Sequence, residues 1–124
     1  MRMKLYNLVP MLYTEDVEAT IQFYTSQLGF VCDAFDEVTK WASIHRDGVE
    51  LILTKPNDMV PFNKAEFTGS FYIRTVNVDT LWQTVKDNVE VCYPIDNFQC
   101  SMREFAIYDN NGYVLQFGEE LTLN

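Results

Sequence analysis

Trp41-Ala-Ser-Ile-His-Arg-Asp-Gly-Val-Glu-Leu-Ile-Leu53 runs through Asp47-Gly48, a dipeptide that tolerates the positive φ angles of a two-residue turn. The stretch predicts a β-hairpin. With the turn there, Arg46 stands opposite Val49, His45 opposite Glu50, Ile44 opposite Leu51, Ser43 opposite Ile52 and Ala42 opposite Leu53. Opposite residues point to one face. One face then carries Ala42, Ile44, Val49, Leu51 and Leu53 and is suited to burial under a helix. The other carries Trp41, Ser43, His45, Glu50 and Ile52, a mixture suited to a cavity wall.

Upstream of the hairpin, Leu5 to Tyr13 is apolar and β-prone, with Pro10 marking an edge or a bulge. Thr14-Glu-Asp-Val opens a helix, for which Thr14 or Asp16 supplies the cap. Val17, Ile21, Tyr24 and Leu28 recur at helical spacing, and Gly29 ends the helix. Phe30 to Phe35 follows as a strand, so the first half reads β-α-β-β-β to about residue 54. A connector spans residues 55–69, where Pro56, Asn57, Pro61 and Asn63 suit neither helix nor sheet.

Residues 70–124 repeat the order. Strands are expected at Ser70 to Val76, Val89 to Tyr93, Met102 to Tyr108 and Tyr113 to Gly118, and a helix at Val78 to Asn88. Thr14-Glu-Asp-Val-Glu lies over Thr75-Val-Asn-Val-Asp, with Gln22 over Gln83. The expected fold class is α+β: two βαβββ modules in one chain, forming a curved mixed sheet around a concave pocket.

At 124 residues the chain has the size of one domain. Eighteen acidic against nine basic side chains give a net charge of −9, which argues against nucleic acid and anionic membranes and favours a cationic ligand. Cys32, Cys92 and Cys100 are odd in number and lack C-x-x-C spacing, which fits reduced thiols in a cytoplasm. No signal peptide or membrane-length apolar run is read from the sequence. The surplus of aromatic residues can line a pocket or a subunit interface.

Asp16-Val-Glu-Ala-Thr-Ile-Gln-Phe-Tyr24 with Leu28-Gly29-Phe30, then Asp47-Gly-Val-Glu-Leu-Ile-Leu53, then Arg103-Glu-Phe-Ala-Ile-Tyr-Asp-Asn-Asn-Gly-Tyr-Val-Leu-Gln-Phe117 resemble, in this order, three segments of one superfamily. It is the vicinal oxygen chelate superfamily, which includes glyoxalase I, bleomycin-resistance proteins and extradiol dioxygenases. The resemblance implies homodimers and, in the enzymes, a divalent metal held by four side chains on the concave faces. Carried over, the late-strand ligand positions fall on Glu50 and Gln116, and the first-strand positions near Val9 and on Ser70 or Phe71. Open catalytic metal sites need about three charged or imidazole ligands, and this set offers too few.

The expected ligand-lining residues are Glu50, Trp41, His45, Gln116, Phe35, Phe71 and Tyr108, with no catalytic residue and no metal assigned. Trp82 is read as a helix anchor, and Arg74 and Arg103 as partners of surface carboxylates. The leading reading is a bleomycin-resistance-like, homodimeric binding protein that sequesters a small cationic or aromatic ligand without a catalytic metal. The alternative is a divalent-metal-dependent lyase, isomerase or dioxygenase.

Overall fold

The computed structural model describes residues 3–57, 62–66 and 69–121, without the Cys100 side chain. Within the connector, residues 58–61, 67 and 68 therefore lie outside the described residues. The chain forms β1 (Met11–Tyr13), α1 (Val17–Leu28), β2 (Val31–Asp36), β3 (Trp41–Arg46) and β4 (Val49–Thr54). It then forms β5 (Phe71–Arg74), α2 (Val78–Val85), β6 (Glu90–Phe98), β7 (Met102–Tyr108) and β8 (Val114–Glu120). These are the two expected βαβββ modules. Each makes its own four-stranded mixed sheet, in the orders β1-β4-β3-β2 and β5-β8-β7-β6.

The hairpin has the expected register, from Arg46 opposite Val49 to Ala42 opposite Leu53. The left-handed residue of its turn is Asp47, at φ 50°. β1 is shorter than expected because Pro10 has no amide to give a ladder. Its carbonyl accepts from Ile52 N at 2.9 Å, and strand pairing begins at Met11.

Asp16, and not Thr14, caps α1: its Oδ1 accepts from Ala19 N at 3.0 Å. Thr14 turns inward, 2.8 Å from the Thr20 hydroxyl. Gly29, at φ 69°, closes the helix by donating to the Tyr24 carbonyl. The equivalent cap of α2, Asn77, makes no side-chain capping bond. Glu119 replaces it, its carboxylate accepting from the amides of Asn77 and Val78 at 3.1 and 3.0 Å, where a negative charge also meets the positive helix end.

The two sheets meet through their helix-covered faces. Tyr24, Leu28, Ile44 and Leu53 of the first module and Val78, Val85, Phe105 and Phe117 of the second belong to one hydrophobic cluster. Polar bonds lock the same join: Tyr24 Oη donates to Asp109 Oδ2 at 2.7 Å, Asn111 Nδ2 to Thr20 at 3.1 Å and Tyr113 Oη to the Tyr13 carbonyl at 3.0 Å. The uncovered face of each sheet is thus left outside the shared core. Among the described residues, no helix is long and apolar enough to cross a membrane.

Candidate functional site

Strand alternation divides sheet two cleanly. Phe105 opposite Phe117 and Ile107 opposite Leu115 lie under α2, whereas Glu104 opposite Gly118 and Ala106 opposite Gln116 lie on the open face. Parallel pairing of β5 with β8 sets Tyr72 beside Gln116 on that face, and β6 brings Tyr93 and Phe98 from the other side.

These residues converge on one carboxylate. Tyr72 Oη donates to Glu104 Oε1 at 3.0 Å, and the Tyr93 hydroxyl donates to Glu104 Oε2. Gln116 Nε2 donates to Tyr93 Oη at 2.7 Å and lies 3.4 Å from Glu104 Oε2, while Ser70 donates to the Gln116 carbonyl. Phe98 meets the Tyr93 ring edge to face, centroids 5.3 Å apart. Burial pushes the Tyr93 phenol up to about 12; the Gln116 hydrogen bond opposes this and Glu104 adds to it. Burial, followed by the Glu104 hydrogen bond, also raises the Tyr72 phenol. Both hydroxyls therefore stay protonated at neutral pH and act as neutral donors.

Ser70, Tyr93, Tyr108 and Gln116 line a cavity of about 480 Å³ on this face. A larger cleft of about 860 Å³ lies between the modules on the helix side. Part of its polar lining is already committed: Ser26 and Thr84 donate to carbonyls of their own helices, and Arg46 Nη1 donates to the Leu28 carbonyl at 2.7 Å. The open face of sheet two is the better site because its polar groups converge.

The expected ligand-lining residues divide between faces. Trp41, His45 and Glu50 lie on the open face of sheet one, and Tyr108 and Gln116 on that of sheet two. Phe35 pairs with the buried Ala42 on the helix side, with Lys40 Nζ 5.7 Å from its ring centre. Phe71 pairs with Leu115, also on the helix side, and packs on the core. Their alternation takes both rings away from the open faces. His45 Nδ1 lies 2.7 Å from Asp33 Oδ2, so its acidic partner is Asp33 and not Glu50. Glu50 is exposed one pair from the hairpin turn. Trp82 anchors α2, its ring 5.0 Å from Phe105, and Arg103 pairs with Asp79 at 2.8 Å.

The two modules can be matched residue by residue from their edge strands. Leu12 beside Leu53 corresponds to Ile73 beside Phe117, the same offset as Thr14 over Thr75. The hairpins then place Ile52, not Glu50, at the position of Gln116, and Trp41 at that of Glu104. Met11 corresponds to Tyr72. One open face thus presents a thioether, an indole and an isoleucine where the other presents a phenol, a carboxylate and an amide.

That donor set does not fit a divalent ion. It offers one carboxylate, already accepting from two phenols, and one amide whose carbonyl accepts from Ser70, whereas divalent ions call for several oxygen or imidazole ligands. Among the described residues, no group of three or more His, Cys, Asp or Glu side chains is placed to hold a metal.

Glu104, Tyr72 and Tyr93 were not expected as site residues. Glu104 was detectable as the one acid within Arg103-Glu-Phe-Ala-Ile107, alternating with Phe105 and Ile107. Tyr93 comes from the preceding strand, 11 residues away, but Tyr72 lies 32 residues away on β5, and only the sheet order joins it to Glu104.

Two βαβββ modules, each with a four-stranded mixed sheet, define a fold class, and a fold of itself does not fix whether its members catalyse or bind. The chain belongs to the Glyoxalase/Bleomycin resistance protein/Dioxygenase superfamily, whose sequence profile matches residues 8–117. No protein of curated function matches it in sequence. In fold it is similar to TioX from Micromonospora sp. ML1, with 12% identity, a TM-score of 0.73, and 96% of this chain and 99% of that one covered. It is similar to a glyoxalase/bleomycin resistance protein/dioxygenase from Nocardioides at 20% identity, TM-score 0.74, covering 99% and 89%. Lactoylglutathione lyase from Agrobacterium tumefaciens aligns at 18% identity, TM-score 0.71, covering 91% and 92%.

Proposed function

We propose that this protein binds a small organic cation on the open face of sheet two, with Glu104 as its counter-charge and without a resident divalent metal. One observation carries the reading: every hydrogen-bond donor to Glu104 among the described residues is neutral, so its charge is held in place but not cancelled. Aromatic rings around it add an attraction specific to cations. Sequestration of this kind needs affinity and no reaction.

The reading includes a homodimer. A second copy that sets its sheet-one face over this site would bring Met11, Trp41 and Ile52 opposite Tyr72, Glu104 and Gln116, pairing an apolar wall with a charged one. A cation with an aromatic or aliphatic body suits such a cavity.

Titration calorimetry with a panel of planar cationic compounds tests the proposal. Glu104→Gln is expected to weaken binding at least about tenfold, equivalent to about 1.4 kcal/mol, with little change in thermal stability. Trp41→Ala is expected to weaken it as well, although Trp41 and Glu104 lie on different sheets of one chain. Absence of binding across the panel, or unchanged affinity in Glu104→Gln, would sink the reading.

A second variant tests how Glu104 is held. The phenol of Tyr72 lies over Gly118, where a Cβ would sit 2.7 Å from its Cζ. Gly118 does not have a positive φ, so alanine meets no backbone objection and the phenol must move. Gly118→Ala is expected to break the Tyr72–Glu104 bond and weaken ligand binding several-fold while the fold persists. Equal affinity in this variant would show that Tyr72 does not shape the site.

A further inference from the structure

We infer that Asn111-Gly112 is a deamidation site held shut by the join between the modules, so that conversion of Asn111 follows opening of the join and then hinders its closing. The inference stands apart from the ligand site. Asn111-Gly112 is the one Asn-Gly step in the chain, and glycine, lacking a Cβ, leaves its own amide nitrogen unshielded for attack on the preceding side chain. In that reaction the Gly112 nitrogen bonds to Asn111 Cγ and the side-chain amide leaves as ammonia, which takes up the Gly112 amide proton through water. Water then opens the cyclic imide at either carbonyl, leaving aspartate or its β-linked isomer.

The fold opposes each requirement of the first step. The attacking nitrogen must give up its proton, and Gly112 N is engaged in donating to the Asp109 carbonyl at 3.2 Å. The Asn111 carboxamide must turn toward Gly112, yet both of its ends are held across the join: Oδ1 accepts from Thr14 Oγ1 at 3.0 Å, and Nδ2 donates to Thr20 Oγ1 at 3.1 Å. Thr14 and Thr20 are fully buried residues of the first module. Separating the modules removes both clamps on the side chain.

The product does not fit where the asparagine sat. Thr20 Oγ1 donates its single hydrogen to the Asp16 carbonyl at 2.9 Å and accepts from Nδ2 of both Asn110 and Asn111. A carboxylate oxygen in place of Asn111 Nδ2 sets acceptor against acceptor, and it brings a second carboxyl beside the buried one of Asp109. The β-linked isomer also lengthens the backbone between Asp109 and Tyr113, whose amide donates to Asp109 Oδ1 at 2.9 Å. Each conversion leaves a join that closes less well.

Peptide mapping of the full chain during incubation in mildly alkaline buffer, native and in guanidinium chloride, forms the test, read as the mass change from amide to acid at Asn111. Deamidation is expected to be at least about tenfold slower in the native protein than in the denatured one, as for a reaction that waits on opening. Thr20→Val keeps the size of the side chain but not its acceptor. It is expected to raise the native rate several-fold and leave the denatured rate unchanged. Converted protein, separated by its added charge on anion exchange, is expected to unfold at lower denaturant than unconverted protein, and Asn111→Asp to do the same.

Equal native and denatured rates, or a native rate unchanged in Thr20→Val, would show that the join does not guard the site. A denatured chain that keeps its Asn111 amide throughout would show that the step is not reactive. Equal denaturation midpoints for converted and unconverted protein would overturn the effect on the join. The rates decide the matter even where Asn111→Asp does not fold.

Discussion

Asp109→Ala is expected to lower the unfolding free energy by about 2–4 kcal/mol, since it leaves buried donors without acceptors. Asp109 is 5% exposed and serves three of them. Its Oδ2 accepts from Tyr24 Oη at 2.7 Å, and its Oδ1 accepts from the amides of Asn111 and Tyr113 at 2.8 and 2.9 Å. Tyr24 is fully buried on α1, so the loss falls on the join between modules. Urea denaturation reads the effect; a loss within experimental error would mean that the join does not depend on this carboxylate.

Asp109→Asn removes the titrating group while keeping the acceptor for the two backbone amides. Its amide oxygen can still accept from the two backbone amides, while its amide nitrogen can only donate to Tyr24 Oη, so the phenol O–H loses its acceptor. Burial raises the Asp109 carboxyl above its ordinary value, more than the Tyr24, Asn111, Tyr113 and Gly112 hydrogen bonds lower it. The folded state therefore holds this proton to higher pH than the unfolded chain does. The stability that the proton contributes is fully present below the unfolded aspartate value and is lost as pH rises through the folded one. Relative to Asp109→Asn, the unchanged protein should thus gain stability as pH falls from 7 toward 4, and a flat difference would contradict that sign.

Phe105→Ala is expected to cost about 3–5 kcal/mol, the range for removing a buried aromatic ring. Phe105 is fully buried, stacked on Phe117 with centroids 5.3 Å apart and set 5.0 Å from Trp82. It is the contact through which α2 and sheet two grip one another. A loss of this size is a large share of a small domain's stability. Glu104 is its immediate neighbour but points to the other face, so Glu104→Gln should leave the denaturation midpoint nearly unchanged. The pair of variants on adjacent residues separates folding from binding.

Much of this could be read along the chain. Asp47-Gly48 announces a turn, and period-two alternation then fixes which residues of Trp41–Leu53 share a face, because a slip of one residue would expose Ile44, Leu51 and Leu53. Asp16 and Gly29 bracket α1 by local backbone chemistry. Errors arose where a partner outside the segment decided the outcome. The strand expected from Leu5 has no ladder before Pro10, Phe35 and Phe71 follow strand alternation onto the helix side, and His45 turns to Asp33 beside the β2 bulge.

The site shows the same division. A single late-strand acid, Glu50, stood out in the sequence because a turn and a family pattern surround it. The strand registers instead set Ile52 at the position of Gln116 and leave Glu50 near the turn. Local patterning by itself determined the two βαβββ modules, the hairpin register and the superfamily, since each depends on residues close in sequence. Tertiary structure alone decided that Glu104 is the central charge. Its partners Tyr72 and Gln116 are 32 and 12 residues away, and only the order of strands in sheet two turns that separation into contact.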